Sequence, residues 1–532
     1  MAVPIIPAVA LGLLICLAAY RFIIYPAYLS PLSKIPPAHW SAPFSSLWIL
    51  YHRSREEETP TVHAAHQRLG PIVLLAPNDI SINSVDGGIR NVYAGGHAKG
   101  DWYRNVFSNY GVMPMFAMPE NGVHSKRKRM LSNIYAKSTL QGSAALDGIS
   151  KALLEDLLIP RVRELSKGGA AAVEFYDVFA AVTHDFVSAY IFGLKNGSHL
   201  LQQPDMNQKF FRDYKARQRF QFWPQDLPGL TAFLKTIGLK WLLVPKWVDK
   251  ANADIEAWIL KMGDDAEATL NQITEEQEKG KPEDYPTVYA QLRNALLKES
   301  STKSDLDLTT GQLVQQQRLE TASEMLDHTL AGFDTSSITL TFFAWELSRP
   351  ENRQWQDKLC EELSTLPDKR DAKAVDALPI LQATLMETLR LHAAIPGNQP
   401  RVTPPAVTLG APGHSFSDLP AGVRVQAQAW SLHRDPDVFP EPEAWLPSRW
   451  LDATEAQHKE MSRWFWAFGS GGRMCVGSNL AMYDMKAIIS AIWSTFRTEV
   501  VFDEGMVHRG GYVAEPIGKE GKYLLLKVHE LW

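Results

Sequence analysis

The sequence contains little cysteine, little net charge and no internal repeat. Its three cysteines, Cys16, Cys360 and Cys475, lie in an apolar N-terminal run, a charged helical segment and a glycine-rich run. Such scattered cysteines imply no disulfide framework and suit a reducing compartment. The formal net charge of −5 in 532 residues gives no reason to expect nucleic acid as a partner.

One run is long and apolar enough to cross a membrane. Residues Val3 to Tyr20 carry no charge and are rich in isoleucine, leucine, valine and alanine, and about 18 apolar residues can span a bilayer. A cleaved signal peptide is the alternative, but the basic residues that open such a peptide are absent. We therefore expect residues 1–24 to form a membrane anchor.

The residues after this run indicate its orientation. Arg21, Lys34 and Arg53 lie on its C-terminal side, and positive charge marks the cytosolic side of a membrane segment. We therefore expect a single-pass anchor with the bulk of the chain in the cytosol. Four prolines predict a stiff hinge over residues 25–40, followed by one large domain over residues 41–532.

The most informative run is the ten residues 468–477, F-G-S-G-G-R-M-C-V-G, which contain Cys475. Gly469, Gly471 and Gly472 are expected to let the backbone turn tightly around the sulfur, where a Cβ would collide. A helix is expected to begin just after this run, and its N-terminus would stabilise a thiolate. The alternative is a glycine-rich surface loop around a buried cysteine.

This run resembles the haem-binding loop of the cytochrome P-450 monooxygenases. The resemblance implies that Cys475 is the axial ligand of the iron in haem b, because a thiolate ligand favours cleavage of the O–O bond. Arg473 is expected to pair with a haem propionate through its forked guanidinium. Phe468 is expected to belong to the same cofactor site.

A second match lies upstream, where Glu387 and Arg390 form the pattern E-x-x-R. Residues at i and i+3 share a helix face and can pair, although surface helices often carry such pairs too. Arg449 lies in a proline-rich segment that resembles the one whose arginine joins this pair in the family. The resemblance implies a buried structural triad of Glu387, Arg390 and Arg449 that stiffens the scaffold under the haem.

A third match is the run Ala331-Gly332-Phe333-Asp334-Thr335, which resembles the family's oxygen-activation motif on its central helix. Glycine inside a helix costs roughly 1 kcal/mol relative to alanine, so Gly332 is expected to open the helix locally where dioxygen binds. Thr335 is expected to supply a hydroxyl there and Asp334 an acid that delivers protons. The alternative is an ordinary helix that happens to contain these residues.

The residues expected to bind the haem propionates depart from the usual family pattern. His124 and Lys128 occupy the positions where the family commonly has W-x-x-x-R. Both can donate hydrogen bonds to a carboxylate, but lysine lacks the arginine fork. The alignment leaves Arg127 or Arg129 as alternatives. Arg401 resembles a further propionate contact.

The resemblance implies a mainly α fold with small β-sheets, preceded by the transmembrane helix. The haem is expected between a long central helix and the helix that follows the cysteine loop. Residues 313–349 predict the central helix, interrupted only at Gly332. Residues 72–75 and 80–83 predict two strands joined by a turn.

The substrate pocket is expected to be apolar, which indicates a lipophilic small molecule. His328, Ala331 and Thr335 share one helix face, so His328 and Ala331 are expected to line the pocket. His328 would then hydrogen-bond a polar group of the substrate. The alternative is a core histidine that is satisfied by a backbone carbonyl.

Two apolar segments, Leu227–Leu234 and Trp241–Val244, have two interpretations. They either contact membrane lipid beside the anchor, as this region does in microsomal family members, or simply cover the core. The general style resembles microsomal members from filamentous fungi that modify secondary metabolites.

The motifs together predict a membrane-anchored haem-thiolate monooxygenase of the endoplasmic reticulum. It is expected to hydroxylate or epoxidise a lipophilic substrate with O2. Electrons are expected from NADPH through a separate flavoprotein reductase, because no nucleotide-binding segment is present. The alternatives are an isomerase, dehydratase or desaturase on the same fold, or a noncatalytic haem-binding protein.

Overall fold

The computed structural model describes residues 5–167, 172–276, 280–301, 310–411 and 413–531. Val3, in the predicted anchor, and Trp532, at the predicted domain end, lie outside these ranges. The described residues are mainly helical, as predicted. The α-helices are α1 (Ile5–Ala19), α2 (Leu47–Ser54), α3 (Glu58–Leu69), α4 (Asp101–Phe107), α5 (Asn121–Leu131), α6 (Lys137–Gln141), α7 (Ala144–Ser150), α8 (Ile159–Ser166), α9 (Phe175–Phe192), α10 (Pro204–Gln218), α11 (Phe222–Asp226), α12 (Pro228–Thr236), α13 (Lys246–Glu276), α14 (Thr287–Ser301), α15 (Thr310–Ser348), α16 (Arg353–Ser364), α17 (Ala372–Asp376), α18 (Pro379–Leu391), α19 (Ala429–Leu432), α20 (Ser448–Leu451), α21 (Glu455–Trp464) and α22 (Ser478–Trp493).

The strands form three small sheets. They are β1 (Ile72–Ala76), β2 (Asp79–Ile82), β3 (Val173–Glu174), β4 (Arg401–Val402), β5 (Val407–Leu409), β6 (Phe416–Leu419), β7 (Arg424–Gln426), β8 (Phe496–Phe502) and β9 (Leu525–Glu530). The largest sheet has the order β1-β2-β7-β4, and only the β2–β7 pair is parallel. The hairpin β1–β2, with Ile72 opposite Ile82, confirms the predicted pair of strands.

The centre of the molecule is α15, which packs along the almost entirely buried helix α9. Its 39 residues extend over about 58 Å. The helix runs through Gly332 without interruption, which corrects the expected local opening. A Cβ on Gly332 would lie 2.7 Å from Cγ2 of Val187 on α9. The glycine therefore serves the close approach of two helices.

The N-terminal segment corrects the boundaries expected for anchor and hinge. The helix α1 continues in wider turns from Tyr20 to Leu29, past Pro26. The stretch Val9–Leu29 is long and apolar enough to cross a membrane and is not buried by the rest of the chain. From Leu32 onward the chain packs on the domain, because Leu32 and Ile35 are buried in the core beside β1. Residues 25–40 are therefore no free hinge.

A cluster of exposed apolar side chains lies between α11 and the start of α13. Phe233, Ile237, Trp241, Leu242 and Trp247 all keep at least 43% of their surface. These residues do not cover the core, so the second of the two interpretations of this region is wrong. The helix α11 also packs against α2, which lies close after the N-terminal segment.

Candidate functional site

The loop that carries Cys475 lies between a short turn, Gly471–Arg473, and the first residue of α22. The backbone N–H of Cys475 donates to the carbonyl of Phe468 at 3.0 Å, which folds the loop around the sulfur. Burial raises the pKa of the Cys475 thiol, while the N–H groups of Gly477 and Ser478 and the ammonium of Lys128 act to lower it. The N-terminus of α22 thus supplies the donors that a thiolate requires.

Cys475 is accessible although it lies within the protein. Cys475 is exposed to a water-sized probe, yet surrounding protein atoms are close enough to raise its pKa. The carboxyl of Asp327 on α15 also raises the pKa of this thiol. The accessible space at Cys475 therefore lies between the cysteine loop and α15, and we call it the reaction cavity.

The loop glycines differ in what they contribute. Gly469 and Gly471 have φ of +67° and +71°, a left-handed region that favours glycine. A Cβ on Gly471 would also lie 2.4 Å from the carbonyl oxygen of Tyr93, whereas nothing lies within 4 Å of one on Gly472. The predicted collision is therefore correct only for Gly471, and it involves the backbone of Tyr93.

This contrast predicts different outcomes for two alanine substitutions. Gly471→Ala is expected to destabilise the loop by about 1–2 kcal/mol from its left-handed backbone alone, and the contact with Tyr93 adds to this. Haem content and thermal stability of the purified protein should both fall. Gly472→Ala is the control and should leave both unchanged. Equal behaviour of the two variants would contradict the loop geometry described above.

The face of α15 that borders the cavity is narrow. Of residues 321–340, only 327, 330, 331, 332 and 335 keep appreciable accessible surface. Ala331 is exposed and Thr335 is half-exposed, and the Thr335 hydroxyl donates to the carbonyl of Ala331 at 2.9 Å. The hydroxyl oxygen therefore stays available as an acceptor towards the cavity.

Asp334 points away from the cavity, towards α10. Its carboxylate is buried and accepts hydrogen bonds from Lys215, Tyr214 and Gln218. The Lys215 ammonium also lies 2.9 Å from the carboxylate of Glu515. The pKa of Lys215 lies well above its ordinary value, because these carboxylates and two tyrosines outweigh the effect of burial. Asp334 and Thr335 are neighbours in the chain, but they do not present their side chains together.

The prediction that His328 offers a hydrogen bond to a substrate is wrong. His328 is buried, its Nδ1 lies 2.8 Å from the hydroxyl of Tyr135, and its Nε2 lies 3.5 Å from the carboxylate of Glu324. On an ideal helix, position 328 lies about 60° around the axis from position 331. Tyr135, which follows α5, covers that flank.

Five basic side chains meet beside the cysteine loop: Lys99, His124, Lys128, Arg401 and Arg473. Lys128 donates to the carbonyls of Gly472 and Met474, each at 3.0 Å. Arg473 donates to the carbonyls of Met118 and Pro119 and to Asn121.

The remaining members are held by aromatic groups and backbone carbonyls. Arg401 donates to Pro400 O at 2.8 Å and to the Tyr103 hydroxyl at 3.1 Å. Lys99 donates to Phe116 O at 2.6 Å and lies over the ring of Phe116.

The charges of this basic cluster favour the binding of an anion. Burial and the charges of Arg473, Lys99, Lys128 and Arg401 lower the pKa of His124 to about 3. Burial and Arg401 lower the pKa of Arg473 to about 10. Within the described part of the chain, no carboxylate lies within ion-pair distance of any of these five groups.

Neighbouring cations that are partly or fully buried without an acidic partner are unfavourable unless a ligand compensates them. Two carboxylates of one ligand would do so. The donor set therefore fits the two propionates of haem, and the Cys475 thiolate would be available to bind its iron.

The two alternative residues for the propionate contact on α5 do not belong to the basic cluster. Arg127 lies 2.8 Å from the carboxylate of Glu320 and 3.4 Å from that of Glu324. Arg129 is exposed. Lys99 is the member of the cluster that sequence reasoning missed. It stands outside every motif, so nothing in the local sequence separates it from a surface lysine.

The structure brings Glu387, Arg390 and Arg449 together. Arg390 donates to both oxygens of Glu387 at 2.7 and 2.9 Å, and Nε of Arg449 lies 3.4 Å from the same carboxylate. The N–H of Leu446 and the indole of Trp450 donate to it as well, each at 2.9 Å. Despite the opposing effect of burial, these donors lower the pKa of Glu387.

Two further cavities lie near the cysteine loop and α15. One of about 510 Å³ lies between α15 and the segment from α11 to α13, where Leu326 and Leu330 line it. It adjoins the exposed apolar cluster described above. The other, of about 620 Å³, is a groove along α22 that Phe468 and Met474 of the cysteine loop line from outside.

Comparison with known proteins gives a consistent result. A family model described as Cytochrome P450 matches residues 162–508, more than half of the chain. Similar proteins include the cytochrome P450 monooxygenase avaI of Aspergillus versicolor, 25% identical over 79% of this chain and 93% of that protein. The cytochrome P450 monooxygenase FGM1 of Gibberella zeae is 25% identical over 92% of this chain and 90% of its own length. The cytochrome P450 monooxygenase tpcC of Cochliobolus heterostrophus is 26% identical over 90% and 86%.

Proposed function

Because the chain belongs to the cytochrome P450 family, we propose that it inserts one atom of O2 into an unactivated C–H or C=C bond of a lipophilic secondary metabolite. The chain is a haem-thiolate monooxygenase that works with a redox partner, O2 and an organic substrate. The observation that carries the proposal is that Cys475, just before α22, lies beside a basic cluster. This cluster has no acidic partner among the described residues.

Each part of the cofactor site has a separate task in this proposal. The N–H groups of Gly477 and Ser478 stabilise the Cys475 thiolate. Arg401 and Arg473 would pair with the propionates of haem b, and Lys99, His124 and Lys128 would surround them. Haem iron, when bound there, supplies the activation of O2, which thiolate ligation favours.

Thr335 and Asp334 take separate steps in proton delivery. Thr335 faces the cavity, and its hydroxyl can accept and pass a proton at Oγ1. Asp334 is the acid that replenishes it. Its carboxylate has to exchange Lys215 for Thr335 to do so, because the structure holds it against α10. The Lys215 ammonium, which also pairs with Glu515, holds the Asp334 carboxylate near the cavity and shields its charge.

Thr335→Ala is expected to keep the haem but uncouple the reaction. Without the hydroxyl, proton delivery to the cavity is impaired, so the variant should consume NADPH, release peroxide and form about a hundredfold less product, the lower end of what a positioned proton donor contributes. The control is Thr339→Ala, one turn later, which is buried and has the same bond to a carbonyl four residues back. Undiminished coupling in Thr335→Ala, or equal uncoupling in Thr339→Ala, would contradict the role of Thr335.

Electrons come from NADPH through a separate flavoprotein reductase. We place its approach at the groove along α22, where Met474 is 42% exposed and the cysteine loop lies nearest the outside. The substrate enters by a different route, through the cavity between α15 and the segment from α11 to α13.

The protein resides in the membrane of the endoplasmic reticulum, with its catalytic domain in the cytosol. The apolar stretch Val9–Leu29 supports a single-pass anchor. The exposed residues Phe233, Trp241 and Leu242 support a second contact with membrane lipid. A lipophilic substrate would then enter the cavity directly from the bilayer.

The proposal is tested with the purified protein, reductase, NADPH and isotopically labelled O2. Lipid extracts of a fungal culture serve as the substrate source. We expect a product that has gained one labelled oxygen atom, formed only when NADPH and reductase are both present. Products that carry no labelled oxygen would exclude a monooxygenase and favour an isomerase or a dehydratase.

A further inference from the structure

Asp327 is a carboxyl that faces the reaction cavity. It lies four residues before Ala331 and eight before Thr335, and positions spaced by four follow one stripe of a helix. These three residues and Leu330 keep accessible surface, whereas nearly all other residues between 321 and 340 are buried. The stripe that leads to Thr335 thus begins with an acidic side chain.

Asp327 is also distinguished by its lack of a partner. Within the described ranges we find no hydrogen bond and no ion pair for its carboxyl group. The other acidic side chains on this part of α15 are engaged, since Glu320 and Glu324 contact Arg127 and Asp334 contacts Lys215. An unpaired carboxyl in a largely enclosed place costs free energy, which a ligand can recover by supplying the missing partner.

The surroundings of Asp327 leave a negative charge on its carboxyl poorly compensated, and a cation would supply the missing compensation. Burial raises the pKa of Asp327 to about 7, against the effects of His328 and Lys99. Its charge also raises the pKa of Tyr512. Lys99, one of the two groups that lower this pKa, is held by Phe116 O and belongs to the basic cluster. A protonated nitrogen would add a charge-assisted hydrogen bond, which is about twice as strong as a neutral one.

We propose that Asp327 determines substrate specificity by binding a basic nitrogen of the lipophilic substrate. The inference rests on the proposed monooxygenase function. Asp327 and Thr335 are eight residues apart, about 12 Å along the helix axis. The nitrogen and the carbon that is oxidised are therefore separated by about that length of a mostly apolar molecule.

The test uses the haem-loaded full-length protein and three probes with one phenyloctyl skeleton. They end in a dimethylamino, an isopropyl or a hydroxyl group, so the first two differ in charge but hardly in shape. Dissociation constants are measured by quenching of tryptophan fluorescence. The variant is Asp327→Asn, which keeps the shape of the side chain. The control is Glu320→Gln, seven residues earlier on the same helix, where the carboxylate already pairs with Arg127.

The wild type and Glu320→Gln are expected to bind the dimethylamino probe about tenfold more tightly than the isopropyl probe, because only the amine can pair with Asp327. Asp327→Asn should abolish this preference and leave the affinity for the isopropyl probe unchanged. Equal binding or no binding of the two probes by the wild type would overturn the proposal, as would a preference that survives in Asp327→Asn. Binding of the hydroxyl probe as tight as that of the amine would overturn the choice of a cation.

Failure of this inference can be told from failure of the proposed function. The reduced-CO absorbance band that gives the family its name is recorded on the same samples first. A wild type without that band would refute the haem-thiolate assignment. A normal band without any preference for the amine would refute only the role of Asp327.

Discussion

Glu387→Ala is expected to yield almost no haem-loaded protein. The substitution leaves Arg390, whose side chain is completely buried, without its carboxylate, and Arg449 loses its contact as well. Removing one partner of a buried ion pair costs about 3–5 kcal/mol, a large part of the 5–15 kcal/mol by which proteins of this kind are stable. The donors Leu446 N–H and Trp450 Nε1 would also lose their acceptor. Haem content and urea unfolding of the variant measure the effect.

The sequence supplies a matched control for this substitution. Glu460 and Arg463 on α21 repeat the pattern E-x-x-R and pair at 2.7 Å, but their side chains are 43% and 35% exposed. Glu460→Ala should cost no more than about 1 kcal/mol, as is usual for an ion pair near the surface, and should keep the full haem content. Wild-type haem content and stability in Glu387→Ala would show that the triad does not support the scaffold.

The pairs Glu387–Arg390 and Glu460–Arg463 illustrate what can be predicted from the sequence. Spacing alone cannot separate Glu387 from Glu460, since both pairs sit correctly on a helix. Only the resemblance of the proline-rich segment around Arg449 singled out the first pair. The cysteine loop was easier to predict, because its turns and the start of α22 depend on residues within a run of ten.

The orientation of the side chains on α15 could not be predicted from the sequence. A shift of one residue rotates a side chain by 100° around a helix, and this exchanges buried His328 for the partly exposed Asp327. Which of the two faces the cavity depends on Tyr135, a partner 193 residues away in the sequence. Asp334 is likewise turned by Lys215 on α10, and Lys99 reaches the basic cluster from outside any motif. Contacts between residues so far apart in the chain leave no local pattern in the sequence.

Cys475→Ala is expected to remove the catalytic activity and to leave part of the haem binding. The basic cluster remains in the variant and can still hold the propionates, so some cofactor should stay with the protein. Without the sulfur there is no thiolate to favour O–O cleavage, so product formation should fall below detection. Cys360→Ala is the control, because Cys360 is a buried side chain on α16, where burial raises the pKa of its thiol to about 11. That variant should lose only some stability.

The reduced-CO difference spectrum of the wild type, Cys475→Ala and Cys360→Ala tests the central claim most directly. The claim is that Cys475 binds the haem iron as a thiolate. We expect the band that names the family in the wild type and in Cys360→Ala, and its complete absence in Cys475→Ala with haem still detectable. An unchanged band in Cys475→Ala would contradict the account, because the ligand would then have to be another residue.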